Sequence, residues 1–313
     1  MAAPAVVVLN AGAGGGRASR HWQEVEPEVH ARLGNYVLIT AVRPALGDDL
    51  RRFIRGGSRD FVAAGGDGTV NLLLEALIAA TDESVLPCLR LGAVGLGSSN
   101  DFHKSGGAEP RVHGVPLKLE RGGARLHDVG RLRYLDPQGT ERVRHWIINA
   151  SVGTTAEANR LFNHPNTLLR VLKRISPWRG IVYAAVREIV EYRSRPMVLS
   201  LDDGTPFKVS VKNLGIIKNP HFSGDLCYDT PYEPDSGDFF VHLLEQVSAP
   251  RLASTVWGLF HNRFTGQKGT RSWRARRVSV AADQPFAIEF DGETIVARQA
   301  TFDLLPRLIQ VCR

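Results

Sequence analysis

Two glycines, an aspartate, a third glycine and a threonine stand together at 65–69, within the stretch FVAAGGDGTVN. The apolar residues before them suit a strand and those after them suit a helix, so the glycines fall at the handover. Glycine has no side chain to hold a ligand away, and its amides can turn inward. With a helix amino terminus behind them, those amides favour a phosphate. Two more turns of this kind follow apolar runs, NAGAGGG at 10–16 and GLGSSND at 95–101. Three such turns on neighbouring strand ends would make an anion site, whereas one alone is weak evidence. Asp67 sets the middle turn apart. A carboxylate beside a phosphate cradle is repelled unless it binds a cation or takes a proton from an acceptor hydroxyl. It could instead cap the helix beginning near Thr69, and Asp101 could likewise cap the helix that follows it. Ser98 and Asn100 are candidate nucleotide contacts in the third turn.

The elements around these turns predict an α/β amino-terminal domain with a parallel sheet. AVVVLN, NYVLIT, DFVAA and CLRLGAV read as strands, separated by the helical stretches HWQEVEPEVHARL, LGDDLRRFIRGG and TVNLLLEALIAA. Alternation at this spacing gives βα units, whose ligands sit outside the carboxyl ends of the strands. After Leu126 the pattern changes. ERVRHWIINASV, PMVLSLDDG, PFKVSVKNLGIIKN, DFFVHLLE and RRVSVAADQPFAIEFDGE read as successive strands joined by polar turns. That pattern predicts a larger, mainly antiparallel, β-rich carboxyl-terminal domain. The expected division is 1–127, with 297–313 returning to it, and 128–296, with a helical insertion at about 166–192.

The 313 residues fit two domains better than one. The start of the chain reads as a first strand and its turn rather than a secretory leader. Three cysteines in no metal-ligand spacing suggest free thiols in a reducing, cytoplasmic compartment. The net charge of +7 favours anionic partners. Its excess gathers at 160–195, with Trp178, Tyr183 and Tyr192, and at 263–277, with Phe264 and Trp273. Either stretch could be a solvated basic face or could meet an anionic membrane surface. No helix-turn-helix, finger or RNA-binding signature accompanies the charge, so nucleic acid is not the expected partner. The dinucleotide fingerprint also fails, because Arg17 stands where its third glycine belongs, and there is no P-loop.

GGDGTVN resembles the signature of the diacylglycerol kinase and sphingosine kinase catalytic domain superfamily, close to the soluble bacterial lipid kinases. VVLNAGAGGG, LGAVGLGSSNDFHKS, LHDVGRL, IINASVG, IIKNPHFSGDL and FDGE continue the resemblance in order over nearly the whole chain. NAD kinases and phosphofructokinase-like enzymes share GGDGT but not this series. The resemblance implies an ATP-dependent lipid kinase acting on diacylglycerol or a related lipid alcohol. A sphingoid base as acceptor, or a catalytically lapsed nucleotide- and lipid-binding homologue, is the alternative. It implies ATP contacts at Asn10, Gly12, Thr40, Gly65, Gly66, Asp67, Gly68, Thr69, Asn71 and Ser98. Glu293 would be the proton acceptor and Asp67 the organiser of Mg2+, although Glu293 also suits a plain hairpin turn. Asn100, Asp101, Asp128 and Asp291 would support that network. A structural Mg2+ would fall at Glu233, Ser236 and Asp238, where a serine replaces one acidic residue of the family pattern. The partner implied is a lipid at an anionic membrane surface, approached peripherally; the sequence is silent on oligomeric state, a dimer being one option.

Overall fold

The computed structural model describes residues 3–41, 45–104, 110–136, 138–163, 169, 183, 187 and 192–313. The chain forms two compact units, Met1–Val129 with Pro306–Arg313, and Gly130–Leu305.

In the first unit lie β1 (Ala5–Leu9), β2 (Tyr36–Thr40), β3 (Asp60–Gly65) and β4 (Arg90–Gly95). β1 pairs in parallel with β2 and β3, and β3 in parallel with β4. Val6, Val7 and Val8 are buried, as are Phe61 to Ala64. Continuous burial of this kind belongs to a parallel sheet covered on both faces. Three helices follow the strands: α1 (Ala18–Leu33), α2 (Ala45–Arg55) and α3 (Asp67–Ala80). α1 buries Trp22, Val25, Val29 and Leu33, and α2 buries Leu46, Leu50 and Ile54. These spacings of three and four set one apolar stripe against the sheet, and each covered side chain contributes about 1.5–3 kcal/mol. β5 (Arg111–Val112) and β6 (Val115–Lys118) form a hairpin, and β6 runs antiparallel to β4. The end of the chain returns here, pairing Gln310 and Val311 in parallel with Arg90 and Leu91.

In the second unit β7 (Arg125–Leu135), from Gly130 onward, pairs antiparallel with β8 (Glu141–Trp146). β9 (Asn149–Gly153), α4 (Thr154–Asn163), β10 (Arg195–Leu201) and β11 (Phe207–Ile217) come next. The short pair β12 (His221–Phe222) and β13 (Leu226–Cys227) precedes β14 (Phe239–Glu245) and α5 (Ala249–Phe260). β15 (Thr270–Ala275), β16 (Arg277–Phe290) and β17 (Glu293–Val311) complete the chain. The order is β15-β14-β11-β10-β16-β17, antiparallel throughout. β9 and β10 share one slot, β9 pairing Asn213 to Ile217 and β10 pairing Phe207 to Val211 of the same strand. Trp146, Phe239, Phe286, Phe290 and Phe302 form the middle of the core.

Two expectations change here. ERVRHWIINASV is not one strand. It breaks at Ile147 and Ile148, because the buried Asp291 carboxylate takes their amides and that of Asn149 at 2.8, 2.9 and 3.2 Å. The helix α5 has no counterpart in the strand-by-strand reading, which leaves its residues unassigned. The helical insertion at 166–192 lies almost wholly outside the described residues. All three cysteines are free. Among the described residues no helix is long and apolar enough to cross a membrane.

Candidate active site

Parallel strands end on the same side, so β1, β3 and β4 deliver their three glycine turns to one edge of the sheet. The turns also touch. A Cβ on Gly14 would lie 2.6 Å from the Leu96 carbonyl oxygen, and one on Gly97 would lie 2.4 Å from the Cα of Gly66. Only glycine permits backbones to pack this closely. Asn10 adds a polar tie: its Nδ2 donates to Thr69 Oγ1 at 3.1 Å, while its Oδ1 accepts from the Gly12 amide at 3.2 Å. Gly65 is needed beneath that tie, since a Cβ there would meet Thr69 Oγ1 at 2.2 Å. Thr40 is exposed at the end of β2, in register with Leu9. Asn71 is buried within α3.

The helix α3 begins at Asp67, ahead of Thr69, with Gly66 as its cap residue. Gly66 offers no capping side chain, and the Thr69 amide turns back to the Gly66 carbonyl at 2.8 Å. The positive end of the helix dipole lies at this edge, which suits an anion. Asp67 reaches beyond α3. Its Oδ2 accepts the Asp101 amide at 3.1 Å and its Oδ1 the Phe102 amide at 3.0 Å, so it fastens the middle turn to the third. Asp101 in turn accepts Ser99 Oγ and Lys104 Nζ, each at 2.7 Å. Asn100 sits in the left-handed region at φ 52° and closes its own loop. Its Oδ1 accepts the Gly97 amide at 3.0 Å, and its Nδ2 donates to the Gly95 and Gly97 carbonyls at 3.1 Å. Asn100 is thus a staple of the turn. Ser98 is exposed at the tip. Arg17 is exposed at the rim of the first turn, where its Nε donates to the Gly14 carbonyl at 3.1 Å. Asp128 is buried and accepts the Arg307 amide at 2.8 Å, joining β7 to the returning segment.

In the second unit Asp291 and Gly292 form the two-residue turn between β16 and β17, with φ of 46° and 86°. Two positive φ values in succession define the type I′ hairpin, whose preferred sequence is Asn-Gly or Asp-Gly. The Asp291 carboxylate points inward onto the amides of Ile147, Ile148 and Asn149, tying the hairpin to the junction of β8 and β9. Glu293, the next residue after the turn, is exposed. Glu289 fixes the turn from below: its Oε1 accepts the Gly292 amide at 2.9 Å and its Oε2 accepts Ser151 Oγ at 2.8 Å. Asn163 Nδ2 donates to the Gly292 carbonyl at 2.9 Å. Glu289 escapes a reading of the sequence. Its only signal is an acidic residue within the otherwise apolar run FAIEF.

The segment expected to bind a structural Mg2+ is already neutralised by side-chain cations. Arg274 places Nη2 at 2.6 Å from Glu233 and 2.7 Å from Asp238, with Nε at 2.8 Å from the other Asp238 oxygen. Lys218 Nζ donates to Ser236 Oγ at 3.1 Å and to the Asp238 carbonyl at 2.9 Å. Burial pushes the Asp238 carboxyl up, but the bonds from Arg274 and Ser236 and the charges of Arg274 and Lys218 outweigh it and hold it below the usual carboxylate range. Glu233, Ser236 and Asp238 therefore do not fit a divalent ion. No group of three or more potential metal ligands occurs among the described residues. At the meeting turns the acids are Asp67, whose carboxylate accepts two backbone amides, and Asp101, which is bridged to Lys104 at 2.7 Å.

Residues 4–132 match the diacylglycerol kinase catalytic domain family. The chain is similar to a YegS-like lipid kinase homologue of Pectobacterium atrosepticum, 34% identical over 125 residues. That alignment covers 39% of this chain and 38% of the relative. A crystal structure described as a diacylglycerol kinase of Bacillus anthracis str. Sterne superposes with a TM-score of 0.66 at 12% identity, over 99% of this chain and 96% of that one. A further structure from the same organism gives 0.72 at 13% identity, over 99% and 96%. At these identities the likeness is one of fold.

Proposed function

We propose, from the match of residues 4–132 to the diacylglycerol kinase catalytic domain family, that the protein is an ATP-dependent lipid kinase. It transfers the γ-phosphate of ATP to a hydroxyl of diacylglycerol or a related lipid alcohol. The observation that carries this reading is the direct contact of three glycine turns at the carboxyl edge of parallel strands, ahead of the α3 amino terminus. Phosphoryl transfer asks the protein for little covalent chemistry and much positioning and charge neutralisation.

In this reading the backbone amides of Gly66 and Gly68 cradle the phosphates, Gly12 and Gly65 let the first two turns approach the nucleotide, and Thr40, Asn71 and Ser98 flank it. Asp67 is the residue that would organise Mg2+, with Asp101 supporting it, and the ion would lower the repulsion between phosphate and incoming oxygen when bound. The acceptor hydroxyl oxygen bonds to the γ-phosphorus, the bond to the β-phosphate oxygen breaks, and ADP leaves. Glu293 accepts the hydroxyl proton. A positioned proton acceptor contributes about 10²–10⁴-fold. The hairpin supports this role, since Glu289 and Asp291 immobilise the turn and leave Glu293 exposed.

A second reading, a nucleotide- and lipid-binding homologue without turnover, is favoured by the two backbone amides already bound to Asp67. The test is phosphorylation of a panel of lipids in mixed micelles by wild type, Asp67→Ala and Glu293→Gln. Turnover in wild type that collapses in both folded variants supports the kinase. Wild-type turnover retained in both variants refutes the assignment, and binding of Mg-ATP without turnover selects the second reading.

A further inference from the structure

α5 turns Leu252, Thr255, Gly258 and Leu259 into a small core with Phe222, Tyr228, Leu244 and Phe264. Its other face carries Trp257 at 69% exposure and Phe260 at 52%, the two most exposed large apolar side chains among the described residues. Large apolar rings are stabilised by being covered, so the fold itself supplies no reason for this placement. Trp257 is also held in place. His261 packs on Trp257 with ring centroids 4.5 Å apart, and its Nδ1 lies 2.8 Å from the Trp257 carbonyl oxygen. The loop that follows is pinned by buried Phe264 and by Asp229, which accepts the amide and the hydroxyl of Thr265.

That loop presents Arg263 and Lys268, both exposed, and Arg251 is exposed at the start of the helix. Among the described residues none of the three has an acidic partner, and no Asp or Glu occurs anywhere from 249 to 277. The aromatic residues first associated with this basic stretch do not serve. Phe264 is buried, and Trp273 is half-covered by Phe207 at 6.0 Å. A pair of exposed rings beside uncompensated cations fits a surface that is anionic outside and apolar just beneath, which describes an acidic bilayer. A second copy of the chain fits poorly, because a two-fold contact sets each cation near its own image with no acid to meet it.

We propose that α5 is the membrane-contacting element, with Trp257 and Phe260 entering the headgroup layer and Arg263 and Lys268 resting on anionic headgroups. Its purpose rests on the lipid-acceptor reading above; its occurrence is measured without ATP or acceptor. Full-length protein is titrated with phosphatidylcholine–phosphatidylglycerol vesicles and with phosphatidylcholine alone, at rising salt, alongside sedimentation velocity. Wild type should bind the mixed vesicles and release as salt rises. Trp257→Ala/Phe260→Ala should bind about tenfold more weakly per ring removed. Arg263→Glu/Lys268→Glu should bind several-fold more weakly with a flatter salt dependence. Brominated lipid should quench wild-type fluorescence more than that of Trp257→Phe. Unchanged vesicle binding by the folded double-aromatic variant overturns the proposal, as does conversion of a wild-type dimer to monomer by Trp257→Ala. Vesicle binding by a protein that phosphorylates no lipid leaves this proposal standing and removes the kinase reading instead.

Discussion

Replacing Gly97 by alanine tests whether the touching turns are the working part of the site. The new Cβ would stand 2.4 Å from the Cα of Gly66, 2.9 Å from Asn100 Oδ1 and 3.2 Å from the Gly66 amide nitrogen. Carbon atoms sit comfortably at about 3.5–4.0 Å, so the two turns must part by roughly 1 Å. No flexible side-chain end can absorb that shift. One obstacle is the residue that caps α3, and the other is the amide of Asn100, held by the Gly95 and Gly97 carbonyls. Forcing such a contact costs about 1–3 kcal/mol, a fall in melting temperature of several degrees for a unit of this size. The same displacement separates the amides of the middle turn from those of the third. A misplacement of about 1 Å at a positioning site can cost on the order of 10²-fold. Gly12→Ala is the matched control, since its φ is −80° and a Cβ there meets nothing closer than 3.5 Å. Mg-ATP binding by calorimetry, with thermal melting, should show at least tenfold weaker binding in Gly97→Ala and near-wild-type behaviour in Gly12→Ala. Equal nucleotide affinity in Gly97→Ala and wild type would refute the reasoning, because a cradle indifferent to its own geometry does not bind the phosphates.

Arg274→Ala leaves Glu233 and Asp238 without their shared guanidinium. It should lower stability by about 1 kcal/mol, the pair being partly exposed, and millimolar Mg2+ should restore part of that loss in melting experiments. Wild-type melting should be indifferent to chelator. Buried His242 is stacked on Tyr228 at 4.3 Å, and burial lowers its pKa from 6.5 to about 4, against a smaller opposing charge from Asp229. Between those values the unfolded chain binds the proton and the folded chain does not. Stability is therefore fully present above pH 6.5 and declines toward pH 4, by about 3 kcal/mol in all. Denaturant titrations across that range should show a steeper acid loss in wild type than in His242→Phe. Asp291→Asn places an amide against three backbone donors and should lose about 1–3 kcal/mol, whereas Glu293→Gln should melt like wild type and lose turnover. The pair separates the structural acid of the hairpin from the proposed proton acceptor.

Much of the site could be read along the chain, because its signals are local. Glycines after apolar runs mark strand-to-helix turns wherever they occur, and Asp-Gly marks a type I′ hairpin from two residues alone. The failures are equally specific. The local alternative for Asp67 is a cap on its own helix, yet it binds partners 34 and 35 residues away. Glu233, Ser236 and Asp238 read as metal ligands because nothing local announces Arg274, which reaches them from β15. Strand β8 ends early for a reason found only in Asp291, and α5 goes unread because its stripe covers a core formed by residues distant in sequence.

The residue order by itself determined where the chain turns, which side chains could manage a phosphate or a proton, and in what sequence those motifs occur. Backbone conformation at a turn depends on the few residues within it, so composition and spacing suffice. Packing decided which turns touch, which carboxylates are taken up by amides or by arginine, and which rings are left facing outward. Those outcomes are set by pairing register and by contacts between elements far apart in the chain, where a shift of a single residue would change every partner.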